Sequence, residues 1–173
     1  MNGKIVGIVI LSCALFAGAA LYYLQVYGFY REATSALPEV QLVSLTSDQS
    51  ETIETRAIQA IDADSSPIRF RACFETPLSL AVLSAAYVSL ERATPRNAPN
   101  WFDCFDAEAI AQDLASGQAA AFLGQKNVDF GVDRIVAITQ DGRGYIWHEL
   151  NDCGEKAYDG TIVGEECPRL DEN

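Results

Sequence analysis

Ile5–Tyr30 reads IVGIVILSCALFAGAALYYLQVYGFY and contains no Asp, Glu, Lys, Arg or Pro. Gln25 is its only strongly polar side chain. As a helix the stretch rises roughly 39 Å, against a hydrocarbon core about 30 Å thick. It is therefore long enough to span a bilayer with some tilt. Tyr22, Tyr23, Tyr27, Phe29 and Tyr30 crowd its C-terminal end, where an aromatic belt meets the headgroups. A cleaved signal would have Lys4 as its basic start and Ala17-Gly18-Ala19 as its cleavage site, but the apolar run continues well past that point. A lipoprotein signal ending at Cys13 would leave only a short apolar core. The expected organisation is a cytoplasmic N-terminus (1–4), a transmembrane helix (5–30), a tether (31–54), a periplasmic domain (55–168) and an acidic tail (169–173).

Charge and cysteines set the orientation. The formal net charge is −12, and all 24 acidic residues lie behind the span, together with every basic residue except Lys4. Arg31 competes with Lys4 at the span's ends, so the positive-inside rule gives little direction. Cys73, Cys104, Cys153 and Cys167 make an even number in a small domain, which suits an oxidising compartment such as a bacterial periplasm. Four cysteines allow three pairings. Cys73–Cys104 with Cys153–Cys167 keeps each bridge local, and a loop of about 15 residues closed by the second contributes roughly 3 kcal/mol. Cys13, inside the span, reads as an inert small packer.

Within the span, Gly7, Ala14 and Gly18 share one helical face. Ala14-xxx-Gly18 is a small-xxx-small pair of the kind that lets membrane helices approach closely. Residues 31–54 offer little to bury, with Pro38 and a polar run from Ser44 to Gln49, although Val40-Gln41-Leu42-Val43 has the pattern of a short strand laid on the domain's edge.

The domain is expected to be α+β, with two helices on one face of a mainly antiparallel sheet in the order ββααβββ. Ile68, Phe70, Ala72 and Phe74 alternate with Arg69, Arg71 and Cys73, the period of a half-buried strand. With Ser65-Ser66 as a two-residue turn, Asp62 lies opposite Arg69 and Ile61 opposite Phe70. Asp62 and Asp64 are then ion-pair partners for Arg69 and Arg71. Thr76 and Pro77 open a helix through Leu90, apolar nearly all round and so expected at the centre. Asp106 caps a second helix, Glu108 sits in its first turn and Gly117 ends it. Strands are expected at 118–123, 131–139 and 144–150, the last two joined by Asp141-Gly142-Arg143-Gly144.

Residues that carry chemistry are few. Asp62-Ala63-Asp64 has the spacing of a DxD phosphatase nucleophile, but Pro67 and a strand follow where a helix is required. As a calcium loop it lacks glycine at its sixth place (Pro67) and glutamate at its twelfth (Cys73). His148, the only histidine, lies between Trp147 and Glu149 and reads as structural. No CxxC and no glycine-rich phosphate loop occurs, and the acidic charge repels nucleic acid. No catalytic residue, metal or cofactor is expected, and the protein is not expected to be an enzyme.

The segments QAIDADSSPIRFRACF (59–74), WFDCF (101–105), AFLGQ (121–125) and DGRGYIWHE (141–149) together resemble a family of uncharacterised proteobacterial proteins. That family is catalogued as a domain of unknown function, with an N-terminal span opening as MNGKIVGI does here. The resemblance implies the same anchored architecture and carries no activity or site residue.

Two functions suit these features. One is a non-catalytic accessory or assembly subunit of an inner-membrane complex such as a respiratory one, its acidic domain steering a basic periplasmic protein such as a cytochrome c. The other is a periplasmic ligand-binding or sensing module with a pocket around Trp101, Trp147 and Arg71.

Overall fold

The computed structural model describes residues 2–37 and 39–165. Helix α1 (Gly3–Tyr23) continues through a π-helical segment, Leu24–Gly28, and the whole of Gly3–Gly28 is apolar enough to cross a membrane. None of its strongly hydrophobic window is buried, so the helix presents its side chains outward all round.

The chain enters the sheet immediately after the helix. Tyr30 does not end the span but begins strand β1 (Tyr30–Glu32), which pairs antiparallel with β4 (Arg56–Ala63) at Tyr30↔Ala63. Between them β2 (Val40–Val43) and β3 (Ser50–Ile53) form a separate hairpin. The expected tether 31–54 is thus part of the folded domain, because Ala33, Leu37, Val40, Leu42 and Ile53 are buried in its core. Val40–Val43 forms the strand its pattern suggests, whereas the other apolar residues are too scattered to produce a periodic signal.

The remaining strands are β5 (Arg71–Glu75), β6 (Ser89–Leu90), β7 (Ala119–Asp129), β8 (Val132–Thr139) and β9 (Arg143–Leu150). The described residues form a seven-stranded sheet, β1-β4-β5-β9-β8-β7-β6, antiparallel throughout. The fold class is α+β as expected. The order is not ββααβββ, since five strands precede the first helix of the domain.

Both faces of the sheet are covered. On one face Phe70, Ala72, Phe74, Phe122, Val136, Ile138 and Ile146 pack beneath the β2–β3 hairpin and α2 (Leu80–Ala86). On the other, Cys73, Ala121, Ile135, Ala137, Tyr145 and Trp147 pack beneath the loop with Phe102 and Phe105 and beneath α3 (Ala107–Ser116). Successive residues of β8 alternate between the two cores, which is why Ile135 to Ile138 is continuously apolar. β5 is likewise buried on both faces rather than one: Arg71 and Cys73 are enclosed along with Ala72 and Phe74. The helices lie on opposite faces, not together.

The helix expected from Leu78 to Leu90 is short and peripheral. It is capped by Ser79, whose side chain accepts from the Val82 amide, and buries only Leu83. Thr76 instead donates to the Glu54 carbonyl at 2.8 Å. At Tyr87 the backbone turns extended, and β6 joins the sheet edge beside β7.

The second helix follows its caps. Asp106 Oδ1 accepts from the Glu108 and Ala109 amides, and Gly117 closes the helix at φ +74°. The β8–β9 hairpin forms as its turn residues dictate, with Gly142 at φ +86°. A Cβ there would come within 2.5 Å of the Thr76 carbonyl oxygen, so glycine is required by both conformation and space.

The Cys73–Cys104 disulfide joins β5 to the loop before α3, with Cα atoms 6.3 Å apart. Cys13 is free and exposed on the apolar helix. The pairing expected for Cys153 falls on Cys167, which with the tail 169–173 lies outside the described residues.

Candidate functional site

Two places gather polar side chains with a specific geometry. The first is the seam between the apolar helix and the domain. In the π-helical segment the backbone bonds reach one residue further back than in an α-helix. The Val26 carbonyl accepts from Trp101 Nε1 at 2.7 Å. Beside it, Arg69 donates to Gln25 Oε1 and lays its guanidinium over the Tyr30 ring, 5.7 Å from the centroid. Tyr30 meets Trp101 edge to face at 6.0 Å. The helix end is therefore held by hydrogen bonds and ring contacts rather than hanging from a tether. Between Tyr22, Gln25, Val26 and Tyr30 on one side and residues 97–100 on the other lies a groove of about 240 Å³.

Arg71 fastens the wall of that groove. Its Nε donates to the Arg96 carbonyl (2.9 Å), Nη2 to Asn97 (3.0 Å), and Nη1 to Ile68 (2.9 Å) and Phe70 (2.6 Å). The guanidinium also lies over Phe105, 5.8 Å from the ring centroid. Burial pushes its pKa down to about 10, with Tyr30 raising it and Arg96 lowering it further. It stays charged at neutral pH, held by carbonyl dipoles instead of a carboxylate.

This overturns the expected pairing of Asp62 and Asp64 with Arg69 and Arg71. β4 and β5 are not joined by a two-residue turn: residues 64–70 intervene and include a 3₁₀ turn at Pro67–Arg69. The register puts Ile61 opposite Arg71, not Phe70, and Asp62 opposite Arg31 of β1. Asp64 pairs with Arg31, while Asp62 Oδ1 accepts from the neighbouring Ala63 amide at 2.8 Å.

The second place is a cleft of about 380 Å³ that brings together Asp62, Asp64, Asp129, Arg134 and His148 around Phe70. His148 is buried, and both ring nitrogens are engaged. Nδ1 lies 2.7 Å from the Pro67 carbonyl, which can only accept, so Nδ1 carries the proton. Nε2 then accepts from Arg134 Nε at 3.2 Å. The imidazole stacks on Phe70 with centroids 4.8 Å apart, and the Arg134 guanidinium covers the same ring at 5.0 Å. Burial pushes the His148 pKa down to about 4, the Pro67 bond opposing this and the charges of Arg134 and Arg71 adding to it. Burial likewise lowers that of Arg134, against the pull of Asp62. A neutral imidazole whose lone pair is taken by a guanidinium has no free base to offer a substrate.

Arg134 is the residue that sequence reasoning missed, because the expected turn gives a different strand register. Counting outward from a four-residue Asp141–Gly144 turn would set Arg134 opposite Asn151; in the structure Ile138 pairs with Gly144 and Arg134 lies directly opposite His148. The pocket expected around Trp101, Trp147 and Arg71 does not form. Trp147 is fully buried with its indole on Glu149 Oε1 at 2.6 Å, Arg71 is spent on carbonyls, and Trp101 faces the helix end. Among the described residues no three His, Cys, Asp or Glu side chains converge as a metal site. Gly7, Ala14 and Gly18 stay exposed on the apolar helix, with open space around both glycines.

No curated protein and no solved structure matches the chain. A family model does, over residues 40–168, opening at the first residue of β2 and so inside the stretch expected as a tether. On that match, which spans most of the sequence and nearly all of the folded domain, the chain belongs to the family of unknown function DUF6446.

Proposed function

We propose that the protein is a non-catalytic, membrane-anchored accessory or assembly subunit of a bacterial inner-membrane complex, with its N-terminus in the cytoplasm and its domain in the periplasm. The observation that carries this reading is the fastened seam. With Gln25 held by Arg69 and Val26 by Trp101, the domain keeps a fixed pose relative to the helix. A partner can then engage both at once, the helix through the Gly7, Ala14 and Gly18 face and the domain through its acidic surface. The Cys73–Cys104 bridge supports an oxidising compartment. A pI of about 4.3 suits a basic periplasmic partner, a cytochrome c of a respiratory complex being one such protein.

Affinity purification of the full chain in mild detergent, with mass spectrometry, tests this. A stoichiometric membrane protein is expected, and it should be lost when Gly7 and Gly18 are replaced by Ile while the domain's melting temperature stays unchanged. A chain that purifies alone overturns the reading.

The cleft at Arg134 favours a second reading, a ligand-binding or sensing module. A thermal-shift screen of the full chain against small anionic and cationic solutes distinguishes the two. A stabilising solute whose effect disappears in Arg134→Gln would favour the module.

A further inference from the structure

Twelve basic residues stand against 24 acidic ones, yet the groove at the seam has no acidic residue in its lining and three arginines beside it. Arg69 stacks on Tyr30 and bonds Gln25, both of which line it. Arg71 bonds the carbonyl of Asn97, a third lining residue. Arg96 directly precedes that wall and is near enough for its charge to act on Arg71. Among the described residues none of the three has a carboxylate within ion-pair distance; the acids pair with Arg31, Arg56, Lys126 and Arg143 instead. Arg69 Nη1 is also buried without any hydrogen-bond partner. A guanidinium nitrogen left in that state has lost its water without gaining a protein acceptor.

The groove's position names the acceptor. Tyr22, Gln25 and Val26 belong to the last turns of the apolar helix, within the run of tyrosines that marks the headgroup layer. Phosphodiesters are the anions concentrated at that depth, and arginine is the residue best shaped to bind them. An acidic domain held against an anionic leaflet is repelled by it, and three arginines at the point of attachment offset that repulsion.

We propose that this groove binds the headgroup phosphate of an anionic phospholipid, with Arg69 and Arg96 as the contacting cations and Arg71 holding the wall they flank. The proposal rests on the reading that the apolar helix lies in a bilayer.

Native mass spectrometry of the full chain in detergent, titrated with phosphatidylglycerol or phosphatidylcholine, provides the test. Wild type should retain phosphatidylglycerol at least tenfold more tightly than phosphatidylcholine, whose choline meets the arginines with like charge. The pair Arg69→Gln and Arg96→Gln should bring the two lipids level, with circular dichroism confirming that the domain is folded. If that pair unfolds, Arg96→Gln alone should still lower the preference severalfold. Equal affinity for the two lipids in wild type, an unchanged preference in the variants, or displacement of the lipid by millimolar inorganic phosphate would each overturn the proposal. Flotation with lipid vesicles separates this from the reading beneath it. A chain that does not float has no membrane helix, whereas one that floats without lipid preference refutes the headgroup site alone.

Discussion

Trp101 Nε1 donates a 2.7 Å hydrogen bond to the carbonyl of Val26, joining a loop of the domain to the last turn of an apolar helix 75 residues earlier in the chain. Together with the bond from Arg69 to Gln25, it turns two separate parts into one body. How the domain sits on the apolar helix is therefore set by two side chains and not by a linker's length.

Trp101→Phe keeps an aromatic ring against Tyr30 but removes the donor to Val26. The loss of one part-exposed hydrogen bond is worth about 1 kcal/mol, or roughly 3–5 °C in melting temperature for a domain of this size. Melting of the full chain in detergent micelles measures it, and faster protease cleavage between the helix and β1 should accompany the shift. An unchanged melt and cleavage rate would mean that the seam is not closed in solution.

Arg71→Lys keeps the charge but not the fork. Four carbonyls on two segments converge on its guanidinium, and an ammonium cannot reach all of them from one stem. A cost of about 2–3 kcal/mol is expected, read as a lower urea midpoint with an unchanged slope. A loss below 0.5 kcal/mol, taken as a rough floor for surface substitutions, would show that the carbonyls find other donors.

His148 makes stability depend on pH. Its folded pKa, about 4, lies below the ordinary 6.5, so between these values the unfolded chain binds the extra proton. Stability is therefore full above about pH 6.5 and falls as the pH drops toward 4, by about 3 kcal/mol from this group. His148→Asn retains a group able to bond Pro67 and removes the titration. The difference between wild-type and variant melting curves across pH 4–7 should carry a slope approaching one proton, and parallel curves would contradict the buried neutral state.

Removing the Cys73–Cys104 bridge by paired Ala substitution should cost roughly 3–4 kcal/mol on the chain-entropy estimate for a separation of 31 residues. Equilibrium urea unfolding measures that loss. Mass mapping of non-reduced peptides checks the bridge itself, and a free Cys73 thiol in protein taken from cells would contradict both the bridge and the oxidising compartment.

Features written into a few adjacent residues were legible without the structure. The apolar run from Ile5, the Asp106 cap with Gly117 at the far end of α3, and the Asp141–Gly144 hairpin each depend on local chemistry: transfer out of water, one side-chain acceptor, one positive φ. The membership of Cys73 in a local bridge to Cys104 followed from proximity in the chain.

What the tertiary structure alone decided involves partners far away in sequence. β1 is short and polar and becomes a strand only because β4 supplies its hydrogen bonds, while the β2–β3 hairpin takes its place because the core buries Val40, Leu42 and Ile53. The longer β4–β5 connection moved the register, and in a sheet buried on both faces no alternation of polar and apolar residues exists to fix it beforehand. For the same reason Arg71 reads as the polar face of a half-buried strand, whereas it lies in a core beneath a layer from another part of the chain. Sequence specified where the chain turns, caps and leaves water; contact between distant segments specified which side chains share a site.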